Sequence, residues 1–325
     1  MIKMAKSHVP VAADTHAGMT GKNNEDNFLV SAYKISEENS ARVLCAVLCD
    51  GVGGHHAGEI ASEIGVNTIT NVIAESNGQK FPEVLQEAII RASEEVVFSA
   101  KLSLDGEDDF SNRAGMGSTA AVAVLVGNRL YTASVGDSRI YLIRRGTIRQ
   151  LSKDHTWIQD ALEIGLITEE QVPGHPNNHV IRRYLGSKNT PDVDTRMFMH
   201  LEESDDTAQA NQGTRLQIGD IILACSDGLS DLVPDEEIRQ IVEDLSDNLE
   251  DAVERLIDLA NERGGHDNIT IVAFSIPENV GMPQVDEVYV PKPPEEKKSK
   301  KLGIGCLPML VVPFLVLAAT LITIF

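Results

Sequence analysis

Acidic residues repeatedly terminate apolar runs in this chain. AVLCDG sets Asp50 after Val43 to Cys49, TASVGD sets Asp137 after Leu130 to Val135, and ILACSDG sets Asp227 after Ile221 to Cys225. A fourth carboxylate, Asp267, opens the run in GGHDNITIVAF, and NNEDNF places Glu25 and Asp26 just before Phe28 to Val30. One Asp at a strand end is ordinarily a turn residue. Five such places, each beside Gly, Asn or Ser, ask for more than turns. Carboxylates gathered at strand ends repel one another unless cations neutralise them, so their convergence implies bound metal. Neither spacing nor residue types suit zinc, and oxygen donors select hard ions, which points to Mg²⁺ or Mn²⁺. Gly51 lets the backbone come close enough for its own carbonyl to be a ligand. Two such ions can share one water, lower its pKa and hold it in line with a phosphorus centre, which is metal-assisted phosphoester hydrolysis.

The elements that must position these groups are legible in outline. Val43 to Cys49, Thr119 to Val126, Leu130 to Val135, Ile221 to Cys225 and Ile269 to Phe274 are apolar runs too short for helices and are predicted as buried strands. Glu59 to Glu75, Pro82 to Ala100 and Leu249 to Asn261 carry apolar residues at helical spacing. Strands cluster and helices come in pairs, which favours a layered α+β fold over a doubly wound sheet. One domain is expected over residues 8–277, with DDTAQANQGT and Asp105 to Asp109 as surface loops.

The 325-residue chain is 42% hydrophobic, enough for a substantial core, and its net charge of −21 argues against a nucleic-acid partner. Cys45, Cys49, Cys225 and Cys306 lack metal-ligand spacing and are expected as free thiols in a reducing cytoplasm. Residues 302–325 hold no charged side chain, and the stretch from Leu307 onward would span about 28 Å as a helix, the thickness of a bilayer core. Before it, residues 292–301 carry five Lys and two Glu, the flank expected to stay cytoplasmic. Residues 278–301 are therefore expected as a Pro- and Lys-rich linker, residues 302–325 as a single transmembrane helix, and the large domain as cytoplasmic.

Taken in order, NNEDN, CDGVGGHHAGEIAS, MGSTAA, VGDSRIY, KDHTWIQ, CSDGLSDL and GGHDNIT resemble the type 2C (PPM) metal-dependent serine/threonine phosphatases in their bacterial form, with coverage from Ala12 to Ala273. The resemblance implies an α-β-β-α sandwich of two antiparallel sheets with helix pairs outside. It also implies two ions bridged by Asp50, with the Gly51 carbonyl and Glu25 at one, Asp26 orienting the water, and Asp227 and Asp267 completing the other. A third ion would lie near Asp137, assisted by Asp231. Asn268 would support Asp267, Arg139 would buttress Asp137, and residues 153–186 would form the flap beside the cleft.

Two departures from the family pattern stand out. Gly21 occupies the position where most members carry an Arg that grips the substrate phosphate; Lys22 is the neighbouring candidate for phosphate binding, although strand alternation would turn it the other way. Val52 stands where eukaryotic members place a His, and His55, with His56 after it, is the candidate proton donor; the alternative is that both histidines pack at the start of the helix. The expected activity is hydrolysis of phosphoserine and phosphothreonine in proteins at the cytoplasmic face of a membrane, opposing a membrane-bound Ser/Thr kinase. The alternative is a catalytically weak or inactive phosphatase-like scaffold, for which Gly21 is the only support.

Overall fold

The structure, a computed structural model, describes residues 1–52, 56–104 and 115–277. In chain order the strands are β1 (Ile2–Met4), β2 (Val11–His16), β3 (Asn27–Lys34), β4 (Arg42–Cys49), β5 (Gly51–Val52), β6 (Gly117–Ser118), β7 (Ala120–Val126), β8 (Arg129–Val135), β9 (Arg139–Arg144), β10 (Thr147–Gln150), β11 (Thr214–Arg215), β12 (Ile221–Cys225) and β13 (Ile269–Ser275). The helices are α1 (His56–Glu75), α2 (Phe81–Leu104), α3 (Trp157–Glu163), α4 (Asp205–Ala210), α5 (Asp227–Ser230), α6 (Asp235–Asp244) and α7 (Leu249–Glu262). One antiparallel sheet has the order β1-β3-β4-β7-β8-β11 and the other β10-β9-β12-β13-β2.

Side chains alternate along a strand, so a strand covered on both faces must be apolar throughout. β4 shows the consequence. Val43, Cys45, Val47 and Cys49 pack with α1 and α2, whereas Leu44, Ala46 and Leu48 face the second sheet, meeting a layer that includes Leu142, Ile222, Val272 and Phe274. On the far side of that sheet, Ile221, Leu223, Cys225, Ile271 and Ala273 pack with Leu229, Ile238, Val242, Val253 and Leu256 of α5, α6 and α7. The result is four layers, α-β-β-α. Each large apolar side chain buried here contributes about 1.5–3 kcal/mol. Leu48, fully enclosed between the sheets, would cost about 2–5 kcal/mol on truncation to Ala.

The five expected strands and three expected helices are present, the helices running a few residues longer than their periodic cores. β1 pairs with β3 ahead of residue 8, where the domain is expected to begin. DDTAQANQGT is not a loop throughout: Asp205–Ala210 is helical because the Ser204 hydroxyl caps the Thr207 amide and Ala208 is fully buried. Between β10 and β11 the chain is mostly irregular, tied down by isolated bridges at Thr156–Ile181, Ser118–Leu185 and Ser134–Asp194. There Trp157 stacks on His175, ring centroids 4.8 Å apart.

Cys45, Cys49 and Cys225 are buried free thiols. Asp105 to Asp109, the 278–301 linker, Cys306 and the 302–325 span lie outside the described residues. Among the described residues no helix is long and apolar enough to cross a membrane.

Candidate metal centre

Strand register explains why the carboxylates meet. Asn27 pairs with Cys49 between β3 and β4, so Asp26 and Asp50, one residue beyond on either side, emerge together with Glu25. Cys225 of β12 pairs with Arg139 of β9 and Ile271 of β13, which draws Asp227, Asp137 and Asp267 to the same end. Asp137 lies in the turn that carries the chain from β8 in one sheet to β9 in the other.

Hydrogen bonds fix the backbone at each position. The Asp50 amide donates to Thr119 Oγ1 at 2.9 Å, and its carbonyl accepts from the Thr119 amide at 2.8 Å and the Ser118 hydroxyl at 2.9 Å. The Glu25 amide donates to Asn268 Oδ1 at 2.7 Å, and the Asn268 side-chain amide donates to the carbonyls of Ala17 and Asn23, both at 3.1 Å. Asn268 thus pins the whole loop that presents Glu25. Gly58, in the first turn of α1, leaves room for that carboxylate, since a Cβ there would overlap Glu25 Oε2. Asp26 is buried; the Ser226 hydroxyl donates to its Oδ2 at 2.7 Å, and its Oδ1 has no partner.

The electrostatics follow from this crowding. Loss of water, then the charges of Asp26, Asp227, Asp137 and Asp267, push the Asp50 pKa well above the usual carboxylate range. Asp227 is raised in the same way by desolvation and by Asp137, Asp231, Asp267 and Asp26. Desolvation is also the main cause that lifts Asp26 and Asp137, each to about 6. Asp231 is raised by desolvation against the opposing pull of His179. The cluster resists its own ionisation, and divalent cations are the direct relief. Two buried carboxylate oxygens without a protein partner, Asp26 Oδ1 and Asp137 Oδ1, complete an all-oxygen donor set that fits Mn²⁺ or Mg²⁺.

Glu25, Asp26, Asp50, Asp137, Asp227, Asp231 and Asp267 are therefore brought together, with Gly51 directly following Asp50. Other expectations need correction. Lys22 is exposed in the irregular stretch before β3, not on a strand, so strand alternation does not govern its direction; Gly21 beside it has a φ of +75°. Arg139 does not bond to Asp137. Its guanidinium grips Asp154 through Nε at 3.0 Å and Nη2 at 2.7 Å and the Tyr141 hydroxyl through Nη1, and it acts on Asp137 only through charge. The Asn268 side chain serves the Glu25 loop, and only its backbone amide reaches Asp267 Oδ1, at 2.9 Å. His55 lies outside the described residues.

His179 escaped the sequence reading. Its Nδ1 is 3.4 Å from Asp231 Oδ2, and His179, Asp227 and Asp231 each bring one ligand atom within 4.8 Å of the others. An exposed His in an irregular segment carries no periodic signal that could have marked it. Thr119 and Ser226 were equally hidden, because a hydroxyl gains significance only from the strand ends it bridges.

Two stacked antiparallel sheets thus carry a cluster of buried carboxylates at one end, a set of oxygen donors of the kind hard divalent ions take. Residues 15–170 match the family Protein phosphatase 2C. The chain is 31% identical over 258 residues to the serine/threonine phosphatase stp of Listeria welshimeri, covering 79% of this chain and 92% of that one. It is 34% identical over 266 residues to the protein phosphatase PhpP of Streptococcus pneumoniae, covering 81% and 96%. The Streptococcus agalactiae serine/threonine phosphatase structure superimposes with a TM-score of 0.68 at 28% identity, over 83% of this chain and all of that one. The PstP catalytic domain, in complex with two manganese ions, gives 0.63 at 29% identity over 83% and 99%. The chain belongs to the protein phosphatase 2C family and is a protein-serine/threonine phosphatase.

Proposed function

We propose that this phosphatase hydrolyses phosphoserine and phosphothreonine of proteins at the cytoplasmic face of a membrane, tethered by residues 302–325, and opposes a membrane-bound Ser/Thr kinase. The observation that carries the catalytic half is the crowded carboxylate cluster around Asp50 and Asp227, with the orphaned oxygens of Asp26 and Asp137. Glu25, Asp50, the Gly51 carbonyl, Asp227 and Asp267 would hold two ions, and Asp137 and Asp231 a third, for which the approach of His179 to Asp227 and Asp231 gives added support. When bound, Mn²⁺ or Mg²⁺ neutralises the carboxylates, polarises phosphoryl oxygens and makes water acidic enough to attack near neutral pH.

The chain's own residues do the positioning. Ser226 occupies one oxygen of Asp26 and leaves Oδ1 as the acceptor that orients the attacking water and holds its proton. Thr119 and Ser118 fix the backbone on which Asp50 sits, and Asn268 fixes that of Glu25. Substrate phosphate must be oriented without an Arg at position 21, and Lys22 is the exposed cation on that loop. His55 is the proposed proton donor to the leaving serine or threonine oxygen.

Hydrolysis of an aryl phosphate and a phosphothreonine peptide, with Mn²⁺ or Mg²⁺, with chelator and with Asp227→Asn, tests the catalytic half: turnover must require metal and vanish in the variant. Membrane fractionation with and without residues 302–325 tests the tether. Recovery of both forms in the soluble fraction would refute it.

A further inference from the structure

We infer that His155 is a positioning residue for Asp137, with the Asp194 carboxylate packed behind its ring. The inference rests on Asp137 serving as a site carboxylate. Asp137 follows Gly136, whose φ of +103° only glycine adopts readily and whose Cβ would collide with the Thr119 side chain. That turn is clasped by one residue. The Gly136 carbonyl accepts the His155 amide at 2.9 Å, and the Gly136 amide donates to His155 Nδ1 at 3.1 Å.

An Nδ1 that accepts a backbone N–H carries no proton, so the ring hydrogen is on Nε2. Nε2 lies 3.5 Å from Asp194 Oδ2, within ion-pair reach but outside hydrogen-bond geometry, both side chains being almost wholly buried. Asp194 is kept ionised in turn by Arg196, whose Nε and backbone amide each donate to Oδ1 at 2.8 Å. Its backbone is paired in both directions with Ser134, two residues before Gly136. The contacts therefore run from Arg196 to Asp194, to the buried edge of the His155 ring, and through its two bonds to the Gly136 peptide and the direction of Asp137. A buried imidazole that only filled space would need neither a carboxylate behind it nor two bonds to a single glycine.

The resulting arrangement resembles the outer partners that orient metal ligands, whose loss costs about 10–100-fold in metal affinity or activity. It is tested on the full chain with His155→Ala, His155→Asn, Asp194→Asn, Asp137→Asn and the His155→Ala/Asp137→Asn double variant. Each is assayed for turnover against Mn²⁺ concentration and for thermal unfolding in chelator. Asn can offer Oδ1 near the place of Nδ1, so His155→Asn is expected to hold the half-saturating Mn²⁺ within about threefold of the parent. His155→Ala is expected to raise it about tenfold or more, Asp194→Asn to follow in the same direction, and the double variant to match Asp137→Asn alone.

If Asp137→Asn shifts the metal dependence but the loss from His155→Ala adds to it in full, or His155→Asn rescues nothing while remaining folded, the positioning role is overturned and the role of Asp137 stands. If Asp137→Asn leaves the metal dependence unchanged, both fall together. Should His155→Ala fail to fold, the Asn variants at 155 and 194 decide the matter by the same criterion.

Discussion

Ser226 donates its hydroxyl to Oδ2 of Asp26 at 2.7 Å while Oδ1 of the same carboxylate, equally buried, has no hydrogen-bond partner among the described residues. One oxygen is anchored by the hydroxyl and the other accepts no hydrogen bond. The Ser226 oxygen also accepts the Thr270 amide at 3.0 Å, so the anchor is part of the β12–β13 ladder and does not swing. Ser226→Ala would leave Asp26 with an unanchored carboxylate. Turnover is expected to fall about 10–100-fold with little change in substrate KM, measured by steady-state kinetics at saturating Mn²⁺.

The raised pKa values give a pH signature with a definite sign. Asp26 and Asp137 are lifted from 3.8 to about 6 in the folded, metal-free protein. Their contribution to stability is therefore complete below about pH 4 and is lost as pH rises through about 6. Bound cations demand the ionised form, so metal affinity falls as pH drops below about 6. With chelator, the Tm from calorimetry is expected to be higher at pH 5 than at pH 7.5. With excess Mn²⁺ the order reverses.

Asp227→Asn removes one of the mutually repelling charges and one of the proposed ligands together. The metal-free protein is expected to gain stability as that repulsion is relieved. Activity should fall by about 10³-fold or more. Urea unfolding in chelator, set beside the phosphopeptide assay, checks both halves. A variant that lost stability as well as activity would mean that Asp227 is held by favourable contacts and not by the ions it serves.

Gly21 is exposed, with open space where a Cβ would stand, but with a left-handed φ. Gly21→Arg should therefore cost about 1–2 kcal/mol from backbone strain alone. If the new guanidinium reaches the cleft as it does in family members that carry it, KM for a phosphopeptide is expected to fall about tenfold with kcat little changed. An unchanged KM would show that the loop from Gly18 to Lys22 takes a course of its own and that phosphate is oriented from elsewhere.

Asn268→Ala would release the Ala17 and Asn23 carbonyls and the Glu25 amide at once. The half-saturating Mn²⁺ is expected to rise about 10–100-fold while global stability drops by about 1–3 kcal/mol, read from metal titration and thermal melting.

Much of this cluster was legible in the sequence because its carboxylates stand at the ends of apolar strands, where a run of hydrophobic residues and the Asp or Glu beside it are read together. Asp50 after Val43–Cys49 and Asp227 after Ile221–Cys225 are of this kind. β9 and β10 were missed since Arg139 and Arg144 confine the apolar run of β9 to four residues, and Arg149 and Gln150 leave the edge strand β10 largely polar. The family resemblance implies Asp137 as the partner of Arg139 and Asp267 as that of Asn268. In the folded chain Arg139 turns to Asp154 across a strand turn, and Asn268 reaches back over 240 residues to the Glu25 loop. Such choices are made by three-dimensional proximity, which spacing along the chain does not encode.

Trp157 is the only tryptophan in the 325 residues, and its stacking on His175 joins the start of α3 to the irregular segment beside the carboxylates. The protein's tryptophan emission therefore comes from one known place. Any movement that parts the two rings changes the colour and yield of that light, so the seating of this segment can be followed in real time, in unlabelled protein, while metal or phosphopeptide is added.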